Sequence, residues 1–87
     1  MTYRNMMRIS MSPADVANII ERFIEGKGTD WEWDDFISIR IHDSELDKIR
    51  IRCSQLDKEF PTERAGQYTN EQGIEALRNY VRHLRAI

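Results

Sequence analysis

Eighty-seven residues, 40% of them hydrophobic and 32% charged, make one globular domain, which buries roughly 60–65% of its unfolded surface. A net charge of −2 argues against a general polyanion binder. No apolar run approaches the ~18–20 residues that span a bilayer, the N-terminus has no signal-peptide core, and the single cysteine, Cys53, rules out an internal disulfide and suits a reducing cytoplasm.

Residues 1–11, MTYRNMMRISM, hold all four methionines. Met6, Met7 and Met11 are each possible starts. Residues 1–11 read as an N-terminal arm, the first ten packing loosely, ahead of a single helical domain over residues 12–87. Helix one begins at Ser12, which caps it, with Pro13 in the first helical position and Asp15 in the first turn. Val16, Ile19, Ile20, Phe23 and Ile24 follow the spacing of one buried helical face. Gly26 closes the helix. The Gly26-Lys27-Gly28 turn lacks both the order and the strand context of a phosphate-binding loop.

The stretch from Thr29 to Asp47 holds both tryptophans and a dense group of carboxylates. Thr29 and Glu32 have capping-box spacing, which predicts a short helix from about Asp30 to Phe36. Carboxylates in a first turn also favour the helix N-terminal dipole. Trp33 and Phe36 share a face, so they are expected in the core with Trp31 at its edge. Ile37, Ile39 and Ile41 then alternate with Ser38, Arg40 and His42, as in a strand. With no partner strand in sight, the run reads as an extended connector pressing its isoleucines into the core. Asp34 and Asp35 are candidates to pin it, through backbone amides or Arg40.

Asp43 or Ser44 caps helix three, predicted from about Ser44 to Lys58, with Asp47 completing a box on Ser44. Leu46, Ile49, Cys53, Leu56 and Phe60 form its apolar stripe; Arg50 and Arg52 point elsewhere, and Ile51 falls off the stripe. Phe60-Pro61 stops the helix. A polar loop containing Gly66 and a partly buried Tyr68 leads to helix four, starting near Thr69 or Asn70 with Gln72 boxed on Thr69. Ile74, Leu77, Tyr80, Val81 and Leu84 form its stripe, and Gly73 permits a close contact.

No catalytic or metal signature stands out. Asp30, Glu32 and Asp34 imitate the start of a calcium loop, but Asp35 and Ile41 occupy its glycine and glutamate positions. Two distant histidines and one cysteine give no zinc spacing. His42 beside Asp43 is a conceivable base and acid, yet adjacent residues in extended chain point apart. Arg78, Arg82 and Arg85 on helix four do not make a phosphate-binding stripe. Charge is uneven: residues 21–47 carry nine acids against three bases, and residues 48–87 eight bases against five acids.

The runs Gly28-Thr29-Asp30-Trp31-Glu32-Trp33-Asp34-Asp35-Phe36-Ile37-Ser38 and Asp43 to Arg50 (D-x-x-L-x-x-I-R), with Phe60-Pro61 and Tyr68, resemble small bacterial helical proteins of unknown function that carry a W-[DE]-W-D-D-F motif. In size, helical class and acidity the chain also resembles immunity proteins, which neutralise a toxin domain. These readings converge on an all-α bundle of four helices, the second short, with an extended connector between the second and third. The expected role is a non-enzymatic protein-binding module in the cytoplasm, without a cofactor, that occludes a basic partner such as a toxin domain. Trp31, Glu32, Asp34, Asp35, Asp43 and Glu45 are the candidate contact residues. The alternatives are an enzyme or enzyme subunit using His42 and nearby carboxylates, or a small nucleic-acid-binding regulator. Membrane and nucleic acid are not expected partners.

Overall fold

The computed structural model describes residues 8–29 and 31–87. Among the described residues four helices follow one another: α1 (Pro13–Glu25), α2 (Glu32–Ser38), α3 (Ser44–Glu59) and α4 (Glu71–Arg85). The all-α bundle with a short second helix is therefore what the chain forms. Among the described residues no helix is long and apolar enough to cross a membrane.

α1 starts and stops where its sequence dictates. The Ser12 hydroxyl accepts from the Asp15 amide at 3.1 Å, and the Asp15 carboxylate accepts from the Ser12 amide at 2.9 Å. That reciprocal bond holds the Asp15 carboxyl below its ordinary pKa. Gly26 ends the helix with φ 70°, a left-handed conformation that glycine enters without a Cβ penalty. Val16, Ala17 and Ile20 are fully buried, and α1 packs most extensively against α4. Leu77 and Leu84 of α4, Leu46, Cys53 and Leu56 of α3, and Trp33 and Phe36 of α2 complete the core.

The second helix corrects the expected start. It begins at Glu32, and Trp31 occupies the cap without a side-chain bond. Glu32 does not reach back to Thr29, because its carboxylate is taken by Arg22 of α1. Arg22 Nε and Nη2 donate to its two oxygens, each at 2.9 Å. A bidentate guanidinium is a stronger partner than a backbone amide. It lowers the Glu32 pKa and raises that of Arg22.

The connector also differs from expectation. Ile37 belongs to α2 and is half-buried, Ile39 is exposed, and Ile41 alone is fully in the core. A strand-like partner does exist, in the arm. Ile9 pairs in parallel with Ile41, its amide donating to Arg40 O at 3.0 Å and its carbonyl accepting from His42 N at 2.8 Å. The arm is thus tied to the connector at Ile9, which stays 38% exposed, while residues 1–7 lie outside the described residues.

Asp47, not Asp34 or Asp35, pins the connector. Its Oδ1 accepts from the Ile41 amide at 2.9 Å and from Arg50 Nε at 2.7 Å. Arg50 in turn donates from Nη1 to Ile37 O at 2.8 Å. Arg50 was expected to point away from the core; it is 9% exposed instead. An inward arginine is tolerated because its donors reach a carboxylate and an orphan carbonyl at the end of α2. With Asp47 engaged there, Asp43 alone caps α3, accepting from the amides of Glu45 and Leu46.

At the other end of α3, Thr69 replaces the expected cap on α4 with a tie between helices. Its hydroxyl is buried within reach of Phe60 O (2.8 Å) and Leu56 O (3.1 Å). Asn70 takes over the capping, accepting from the amides of Gln72 and Gly73. Gly73 permits this arrangement: a Cβ there would stand 1.9 Å from Thr69 Oγ1.

Candidate functional site: the outer face of α2

α2 is short because its two faces are used differently. Trp33 and Phe36 turn inward. The Trp33 ring stacks on Phe23 of α1 at 3.9 Å between centroids and meets Tyr68 edge-on at 5.7 Å. The Tyr68 hydroxyl donates to Cys53 O at 2.8 Å, which fastens the loop before α4 to α3. Burial pushes the Tyr68 phenol up to about 12, helped by the negative charge of Asp57. Trp33 stands against that hydroxyl and works against the rise. Its Nε1 nonetheless stays outside hydrogen-bonding geometry. It is the buried side-chain donor left without a partner among the described residues.

The opposite face carries Trp31, which is 71% exposed. Trp31 and Asp35 are one turn apart, and Ile39 follows where the helix ends. Ile9, at 38%, and Ile39, at 36%, are also exposed large hydrophobics. All three border one open groove of about 310 Å³, floored by Met11 and Phe36 and edged by Asp35. A tryptophan left this open forgoes burial worth about 1.5–3 kcal/mol for a large apolar side chain. Exposed apolar residues scattered singly need no explanation; here three of them border the same groove.

The carboxylates expected to surround Trp31 divide into three groups. Asp34 and Asp35 are exposed on α2, which has acidic residues in its first turn and no base in its last. Glu32 is half-buried and ion-paired with Arg22. Asp43 is occupied as the α3 cap, and Glu45 lies exposed beside it, paired with Lys48 at 3.4 Å. Asp30 lies outside the described residues. Of the six candidates the structure thus leaves Asp34 and Asp35 as the outward carboxylates outside a helix cap or an ion pair, beside the exposed Trp31. Ile9, Met11 and Ile39 were missed in sequence. Their signal was the exposed alternation of the isoleucine run and the apolar residues on either side of Ser10.

The other candidates fall away from this face. His42 is exposed, and its backbone amide serves the bridge to Ile9. His83 is exposed in the last turn of α4. The three arginines of α4 are paired: Arg78 and Arg82 with Glu75, and Arg85 with Glu21 and Asn18 of α1. Cys53 is fully buried, and desolvation pushes its thiol up to about 12, which removes thiolate chemistry from the folded protein. Among the described residues no group of three or more His, Cys, Asp or Glu is placed to hold a metal ion.

Fold and surface together define a small four-helix all-α domain with an apolar, acid-edged groove on its shortest helix. Compared with known proteins, the chain matches no family model, and neither a curated protein nor a solved structure matches it.

Proposed function

We propose that the chain is a protein-binding module of the immunity or inhibitor kind, and that it docks through the outer face of α2 to cover a basic surface such as the active site of a toxin domain. The observation that carries this reading is Trp31, 71% exposed on a helix with outward carboxylates and no base. Tryptophan is enriched at binding hot spots because it buries a large rigid area with little entropy to lose. Asp34 and Asp35 on α2, with Glu45 at the start of α3, attract a basic partner and chiefly raise its rate of association. The groove beside Trp31 receives an apolar side chain of the partner, and the surrounding acids take its Lys or Arg residues. Occlusion needs no chemistry from the inhibitor, only a rigid surface, and the Asp47–Arg50 pin fixes the connector that carries Ile39 into that surface.

Charge reversal tests the role of the acids. Asp34→Lys and Glu45→Lys reverse first-turn charges, so each slows association with the partner while costing only about 1 kcal/mol of stability through the helix dipole. Equal loss of binding and of stability would make these acids structural and end the proposal.

A further inference from the structure

A second concavity lies on the side of the molecule where loop 26–29 faces loop 66–69. It is an open cleft of about 420 Å³, within the usual range of small-molecule sites, roughly 300–1,000 Å³. Phe23, Trp33 and Tyr68 are among its lining residues, as are Glu32 and Glu71, and the lining holds no basic residue. Arg22 stands behind Glu32, its guanidinium spent on the two carboxylate oxygens. Each of those oxygens keeps a second lone pair. Gly28 lets the Glu32 carboxylate lie against the loop, since a Cβ there would stand 2.9 Å from Oε1. Glu71 is exposed in the first turn of α4.

We infer that this cleft binds a small organic cation, an arylalkyl amine whose ammonium lies between the carboxylates of Glu32 and Glu71 and whose apolar body rests on the aromatic wall. An ammonium gains from carboxylate oxygens and from the faces of aromatic rings, and a neutral or anionic ligand of the same shape gains from neither. The cleft shares Ile19, Thr29 and Glu32 with the groove beside Trp31, but it takes its aromatic wall and Glu71 from elsewhere and uses neither Asp34 nor Asp35.

The reporter is built in. The Trp33 indole N–H, buried without a partner, has its own resonance in a nitrogen-15 correlation spectrum, and Trp31→Phe assigns it. The full-length protein is titrated with phenethylamine, and separately with phenethyl alcohol and hydrocinnamate, which share its shape but not its charge. The amine produces saturable shifts at the Trp33 indole and at the Gly28 and Gly66 amides, with a dissociation constant on the order of millimolar. The alcohol and the carboxylate bind at least about tenfold more weakly, and Glu71→Gln weakens the amine about tenfold while leaving the alcohol unchanged. The inference is overturned by the absence of saturable shifts, by equal binding of all three probes, by indifference to Glu71→Gln, or by shifts centred on Trp31 and Ile39.

Discussion

Replacing Arg50 by Met should remove a large part of this domain's stability, and replacing Arg22 by Met should not. Both substitutions delete one positive charge from an arginine bonded to a carboxylate, so the change in net charge cancels in the comparison. The surroundings differ. The side chains of Arg50 and Asp47 are 11% and 21% exposed, against 42% and 26% for Arg22 and Glu32. Arg50→Met breaks the bond to Asp47 Oδ1 and strands the Ile37 carbonyl at the end of α2. Hydrogen bonds to charged groups contribute about 1.5–3 kcal/mol each, and breaking a buried pair from one side costs about 3–5 kcal/mol. Methionine recovers some packing in the stem's place, so the net loss is about 3 kcal/mol. A domain this size has roughly 4–13 kcal/mol in all. The more exposed Arg22 pair contributes under about 1 kcal/mol.

Urea denaturation at neutral pH reads the difference directly. With a slope near 1–1.5 kcal/mol per molar, Arg50→Met lowers the midpoint by about 2–3 M and Arg22→Met by under about 1 M. Acid unfolding adds a second reading. The Arg50 bond, with help from the Ile41 amide, holds the folded Asp47 pKa below its unfolded value. Its stabilisation is therefore present above the unfolded value of about 4 and disappears as pH falls through the depressed folded value. Arg50→Met weakens that dependence below about pH 4. Equal midpoint shifts for the two arginine variants would refute the claim that the connector is pinned from α3.

Two further outcomes follow from the packing. Gly73→Ala forces a Cβ onto the Thr69 hydroxyl, so it should destabilise by more than about 2 kcal/mol in the same urea assay. Gly66→Ala meets open space and suffers only the left-handed strain of φ 84°, about 1 kcal/mol. Cys53 is buried and should react with an aromatic disulfide reagent only through the opened protein, so its rate should rise with urea and, because the opened thiol has its ordinary pKa of about 8.5, should rise from pH 7 to 9 as it does for a free thiol, scaled down by the small opened fraction.

Local chemistry made much of this fold legible. Ser12, Pro13, Asp15 and Gly26 delimit α1 because each satisfies or closes a helix end within a few residues. The stripes of α3 and α4 are likewise periodic, and Trp33 and Phe36 fall on one face at helical spacing. The misses share a different cause: in each, a side chain with a plausible near neighbour chose a distant one. Glu32 leaves Thr29 for Arg22, Asp47 leaves Ser44 for the Ile41 amide, and Thr69 leaves Gln72 for α3. Arg50 turns inward because the end of α2 supplies a carbonyl thirteen positions away. Spacing rules do not reach that far. The candidate surface was half visible. Trp31 and its acids are contiguous in sequence, but the groove also needs Ile9, brought to Ile39 by pairing between the arm and the connector.

The most direct test of the α2 surface is capture of partners from the source cell's lysate by wild type and by Trp31→Ala, side by side at low and high salt, with both unfolding midpoints measured. Wild type should retain one stoichiometric basic protein, held more weakly at high salt, and Trp31→Ala should lose it while unfolding at the wild-type midpoint. Retention of the same protein by both, or of none by wild type at either salt, would contradict the account.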